Sequence, residues 1–221
     1  GGGEIYLKKG AKLFVTKLQN WPKYIDTRPL TYATLEDGAE LHFVNIILGG
    51  GNSTYENPKI YLKGKNAKVV VHEIILGLNN AVVDLGTTIY HQAEETSSEI
   101  TSKALGMQDS NLTTRGVIKA EVKNVKGHIS CDTLILNNAK SEAYPGLSTN
   151  VNDVMLSHEA SIGKIADTEL NYLMSRGFTR AEATELVVKG FVAPSLKDVP
   201  KEFQTEVNNI LEMAAKSVNP L

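Results

Sequence analysis

One cysteine, Cys131, in 221 residues leaves no partner for an intrachain disulfide and suits a reducing compartment, the cytoplasm. No apolar run approaches the roughly 20 residues a membrane helix requires, and no secretory leader is visible. Charges nearly cancel, 23 basic against 25 acidic for a formal net of −2, so no field of one sign is available to recruit nucleic acid or an anionic membrane. Aromatic residues make up 6% of the chain, with a single tryptophan, which argues against a sugar-binding face of stacked rings. The G-x-S-x-G elbow of serine hydrolases and the H-E-x-x-H zinc motif are both missing. The glycine cluster Gly49-Gly50-Gly51 lacks the lysine and hydroxyl residue that close a phosphate loop, so it reads as a turn, and no nucleotide is expected on this chain. The opening Gly1-Gly2-Gly3 has no methionine and reads as a tag remnant or a truncated start.

What is present is a globular composition, 42% hydrophobic with 18 glycines. From Ile5 to about Leu136, short apolar runs are broken by Gly, Asn and Asp. Leu41 and Phe43 flank His42, and Ile118, Ala120 and Val122 alternate with Val117, Lys119 and Glu121, which is strand periodicity. A weak repeat starts at Gly10, Gly38 and Asn66, each followed by alanine and a new strand. A residue tolerant of left-handed geometry at a fixed interval fits a coil that turns at one corner. A period in the twenties points to a parallel β-helix, and a β-sandwich is the rival. The repeat fades after residue 90, where HQAEETSSEITSKAL suggests a looped-out or edge rung. Residues 137–153 read as a loop before a last short strand, Val154 to Leu156.

Beyond Ile165 the periodicity becomes helical. Asp167 is placed to cap a helix carrying Leu170, Leu173 and Met174, stopped by Gly177. Thr179 and Glu182 form a capping box for a second helix running to Gly190. A third is expected after Pro200, with Phe203, Val207, Ile210, Leu211 and Ala214 on one face. The division is therefore a strand core, residues 1–165, and a helical segment, residues 166–221. Three short helices need the strand core or another protein to cover their apolar faces.

Two places carry side chains that hold metals. Cys131 lies in the strand-like run ISCDTLIL; such a thiol is either a small buried hydrophobe or, once deprotonated, a sulfur acceptor or iron ligand. His158 and Glu159 follow 27 and 28 residues later. Adjacent residues of a strand point to opposite faces, so both cannot readily bind one metal within one chain. A turn histidine bonded to backbone is the plain alternative.

The run Ser130-Cys131-Asp132-Thr133-Leu134-Ile135-Leu136, then Ser157-His158-Glu159-Ala160, then Gly163-Lys164-Ile165, Tyr172 to Gly177 and Glu182-Ala183, resembles the C-terminal part of the SufB/SufD family of iron–sulfur cluster assembly scaffolds. The likeness is specific over about residues 115–192 and nearer to SufB in a short form. It implies a mainly β fold, a right-handed parallel β-helix with a small C-terminal helical segment. It also implies a non-enzymatic scaffold and a transient iron–sulfur cluster held by Cys131, His158 and Glu159. The implied partners are a SufC-type ABC ATPase docked through residues 167–190 and a second SufB/SufD-type subunit, expected as a homodimer that brings Cys131 of one copy towards His158 of the other. A SufD-like subunit that binds partners without ligating a cluster is the alternative. Ser157 looks more like SufD, and with one cysteine an internal sulfur relay between cysteines lacks its other members.

Overall fold

The structure, a computed structural model, describes residues 1–49, 51–197 and 199–217, with side chains as far as Glu212. Its strands in chain order are β1 (Gly2–Leu7), β2 (Lys12–Asn20), β3 (Asp26–Thr27), β4 (Leu30–Leu35), β5 (Glu40–Gly49), β6 (Ser53–Glu56), β7 (Lys59–Leu62), β8 (Lys68–Gly77), β9 (Val82–His91), β10 (Ser97–Gly106), β11 (Asn111–Ala120), β12 (Val125–Ile135), β13 (Lys140–Ala143), β14 (Gly146–Thr149) and β15 (Val154–Lys164). The helices are α1 (Asp167–Ser175), α2 (Arg180–Val192) and α3 (Lys201–Ser217), with a 3-10 turn at Ala193–Leu196. The strands wind into a parallel β-solenoid whose turns stack into two sheets. One runs β2-β5-β8-β10-β12-β15; the other runs β1-β4-β7-β9-β11-β13, with β3, β6 and β14 alongside.

The register explains the repeat. Lys12 pairs with Glu40, Glu40 with Lys68, Lys68 with Ser97 and Ser97 with Lys126, so the step per turn is 28 residues and later 29. The corner before each of these strands is a residue of positive φ, Gly10, Gly38, Asn66, Glu95 and Asn124, and Asp153 does the same before β15. A second corner of each turn uses Asn79, Gln108 and Asn137 in the same way. The repeat therefore does not fade at residue 90. The stretch expected to loop out is the regular strand β10, and its corner is hidden because Glu95 occupies a backbone region where glycine or asparagine is usual. The last strand is also longer than expected, eleven residues from Val154 to Lys164.

Inward residues fill the lumen. Leu41, Phe43, Val69, Val71, Ile100 and Ile129 form one apolar cluster with Leu35, Leu62, Ile89 and Ile118 from the opposite sheet. Ile47, Ile75 and Ala104 form another with Val83, Leu85 and Leu112. The outward face is split. Val44, Ile46, Leu48, Ile74, Leu76 and Leu105 lie under Val188, Val192, Leu196, Val207 and Leu211, so α2 and α3 roof the C-terminal halves of the strands. Burial of this apolar stripe is what holds the helices. Lys189 ties α2 to α3 by bonding Glu185 at 2.7 Å and Glu212 at 2.8 Å.

The helix boundaries follow local chemistry. The Thr179–Glu182 capping box is present in both directions, and α3 begins after Pro200 with Phe203, Val207, Ile210 and Leu211 on its packed face. The side chain of Ala214 lies outside the described ones. α1 starts one residue earlier than a cap at Asp167 requires: Ala166 is the N-cap, and the Asp167 carboxylate accepts from Arg180 at 3.0 Å instead. Gly177, at φ +98, ends α1, and α2 continues past Gly190 to Val192.

Gly86, in the middle of β9, has no room for a side chain: a Cβ there stands 1.8 Å from the Arg115 carbonyl oxygen on β11. Relief requires the two strands to part. Gly86→Ala is therefore expected to lower stability by on the order of 3 kcal/mol, read as a fall in Tm and in the urea midpoint without a change of secondary structure at low temperature.

Candidate functional site

Parallel partners share a face, so the register sorts side chains into columns that climb the solenoid. One inward column reads Lys17, Asn45, Glu73, Ser102, Cys131, Ala160. It runs between the two apolar clusters and is polar until its last member. Lys17 bonds Glu56 at 2.6 Å, and Gln19 bonds both Glu56 at 2.7 Å and Asn45 at 3.1 Å. Farther along, Glu73 accepts from Thr87 at 2.7 Å and from Ser102 at 2.5 Å. Buried polar groups need such partners, because each one left unmade costs the full desolvation of the group.

Cys131 is 0% exposed. Burial, reinforced by the neighbouring Glu73 carboxyl, pushes its thiol up to about 11, although the hydroxyls of Ser102 and Thr114 face it and favour the thiolate. At neutral pH the sulfur is a protonated thiol, hence a weak ligand and nucleophile until its surroundings change. Glu73 is moved in the same sense, up to about 7, chiefly by burial.

His158 and Glu159 lie on β15, the edge strand of its sheet, where every side chain from Ser157 to Lys164 is exposed. His158 pairs in register with Ile129 and Glu159 with Ser130. His158 thus shares the inward face of Cys131, two positions along on the neighbouring strand, whereas Glu159 stands on the outward face. There the Glu159 carboxylate accepts from Ser130 Oγ at 3.1 Å and lies 3.8 Å from His128 Nε2. His128 Nδ1 meets Ser157 Oγ at 2.9 Å. Beside them Asp132 takes Lys103 at 2.6 Å and Ser161 at 2.5 Å, and Lys103 also lies over the Phe191 ring of α2. Within one chain the three expected ligands are divided between two faces, and among the described residues no three His, Cys, Asp or Glu side chains converge as a metal site.

Sequence reasoning missed the lumen column and the His128–Glu159 pair. The signal was there in principle: once the step of 28 or 29 is known, positions 17, 45, 73 and 102 stand out as polar residues in inward slots. A second feature is the groove between α1, α2 and β12, lined by Leu134, Tyr172, Leu173, Leu186, Val187 and Phe191. Tyr172 is 59% and Leu186 49% exposed, large apolar surfaces for so small a helical layer. Among the described residues no helix is long and apolar enough to cross a membrane.

The fold is a parallel solenoid ending in an exposed edge strand, with a thiol inside it and a carboxylate and an imidazole on that edge. Residues 2–191 match the family model described as the SUF system FeS cluster assembly SufBD core domain, and the chain belongs to the SufBD family. It is 48% identical over 212 residues to an iron–sulfur cluster assembly SufBD family protein of Pyrococcus horikoshii, covering 96% of this chain and 47% of the relative. Against the SufBD family protein of Archaeoglobus fulgidus it is 33% identical over 219 residues, covering 99% and 59%. Against the iron–sulfur cluster assembly protein SufB of Bacillus subtilis the figures are 32% over 212 residues, 95% and 45%. The chain spans about half the length of the curated relatives it matches. The family's work is iron–sulfur cluster assembly, and its members carry the names of assembly proteins.

Two of the buried titratable groups of the lumen, Glu73 and His91, oppose each other. Glu73 is raised from 4.5 to about 7, so between those values the folded chain holds a proton that the unfolded chain has lost, and stability falls as pH rises. Burial lowers His91, which lies between Thr96 and Ser98, to about 4; there the unfolded chain binds the extra proton, and stability rises with pH up to 6.5. Glu73→Gln removes only the first effect. Its stability relative to wild type is expected to climb by about 3 kcal/mol between pH 4.5 and 7.5, measured by urea unfolding across that range; a flat difference contradicts the assignment.

Proposed function

We propose that this chain is a scaffold subunit on which iron and sulfide are joined into a cluster at the contact between two SufB/SufD-type subunits. The observation that carries the reading is the edge strand β15: it sets Glu159 and His158 in solvent one strand away from Cys131. In this reading the Cys131 thiolate ligates iron, or takes the outer sulfur of a persulfide donor whose own thiol departs, and Glu159 and His158 supply oxygen and nitrogen ligands, a donor set suited to iron. Because the two ligands on β15 face opposite ways, a second copy meeting this edge is what completes the set, and a two-fold homodimer does so symmetrically. The buried thiol has to be reached and deprotonated, so assembly waits on a movement that opens the end of the lumen.

The movement is assigned to a SufC-type ABC ATPase docked on residues 167–190. The groove around Tyr172 and Leu186 supports this, since it is apolar, exposed and packed directly on β12 through Leu134 and Phe191. The chain works in the cytoplasm in this reading. A second reading, a SufD-like subunit that binds partners and no cluster, is favoured by the sealed thiol and by the lack of convergence among the ligands of one chain.

Two experiments decide. Anaerobic reconstitution with ferrous iron and sulfide is expected to give a cluster absorbance on the wild-type chain that falls at least about tenfold in Cys131→Ser; equal absorbance from both favours the structural reading. In a mixture with the cognate ATPase, Tyr172→Ala combined with Leu186→Asp is expected to abolish co-elution while leaving the circular dichroism spectrum unchanged. Co-elution that survives both substitutions overturns the dock.

A further inference from the structure

We propose that His128 and Glu159 together form a docking site for a divalent transition metal on the outward face of the solenoid, apart from the thiol on the inward face. The inference rests on the reading of the chain as an iron scaffold and names a residue that reading does not use. Glu159 cannot share a metal with His158 of its own chain, because neighbours along a strand point apart. Its companion on the outward face is His128, whose Nε2 lies 3.8 Å from Glu159 Oε1. Two donors on one metal at about 2.0–2.2 Å each stand about 3.0–3.5 Å apart, so a small turn of an exposed carboxylate closes the gap.

Both side chains are already held by hydrogen bonds to serine hydroxyls. Ser157 Oγ contacts His128 Nδ1 at 2.9 Å. With the Nδ1 proton given to that hydroxyl, the lone pair sits on Nε2, the atom facing Glu159. Ligating histidines are commonly fixed this way by a partner on the other ring nitrogen. Ser130 Oγ donates to the same Oε1 at 3.1 Å and steadies the carboxylate. Lys103, on the neighbouring strand, is committed to Asp132 at 2.6 Å. One imidazole and one carboxylate suit Fe(II), Mn(II) or Co(II) rather than soft Cu(I), and two protein donors leave the remaining positions to water, sulfide or a second subunit.

The test is an anaerobic titration of the full chain with Co(II) as probe, followed by visible d–d absorption and by calorimetry. One ion per chain is expected for wild type. His128→Ala and Glu159→Gln are expected to weaken it by about tenfold or more, and Ser157→Ala by about tenfold through loss of the ring's anchor. His158→Ala is expected to leave the affinity within about twofold. Unchanged affinity in His128→Ala, an equal loss in His158→Ala, or no Co(II) bound by wild type each overturns the proposal. Normal Co(II) binding together with failed cluster reconstitution overturns the scaffold reading and leaves this site standing.

Discussion

The parallel ladder, stepped by 28 or 29 residues per turn, is the constraint from which everything else descends. Because paired residues keep the same face, a choice made at one position recurs as a line of side chains along the solenoid. Apolar lines fill the lumen on either side, and the line through Lys17, Asn45, Glu73, Ser102 and Cys131 separates them. The opposite sheet satisfies this polar line, with Glu56 and Thr87 supplying partners across the lumen. Cys131 owes its protonated state chiefly to burial, which outweighs the Ser102 and Thr114 hydroxyls that favour the thiolate.

The same rule of faces divides the reactive groups. Sulfur and one imidazole are on the inward side, a carboxylate and another imidazole on the outward side, and the strand carrying two of them is the sheet's edge. Within one chain these groups therefore do not converge on one point. Meanwhile α2 and α3 cover residues from Val44 on β5 to Leu136 beyond β12, so the helical layer grips several turns at once.

Much of this was legible in the chain. Gly10, Gly38 and Asn66 disclosed the step of the coil, and Thr179 with Glu182 disclosed the start of α2, because each of these residues suits its backbone position by itself. Glu95 and Gln108 take the same left-handed corners without any such preference; the stacked neighbours impose the conformation there, so the sequence falls silent at β10. The opposite-face placement of His158 and Glu159 followed from strand geometry alone. Burial of Cys131 was one of the two readings the sequence left open, and the residues that tune its thiol, Ser102, Thr114 and Glu73, are brought beside it only by the register. Asp167 was misplaced by one position because Arg180, thirteen residues on, offered its carboxylate a better partner than the helix end did.

The small side chains of β15 have a corollary. Ser157, Ala160, Ser161 and Gly163 leave little bulk along a bare eleven-residue edge, so another backbone can come close enough to bond to it. A copy approaching by a two-fold rotation shields both edges and stops; a copy approaching by simple translation leaves a fresh edge and invites filaments. The direction from which a copy approached that edge would separate a closed pair from open-ended growth.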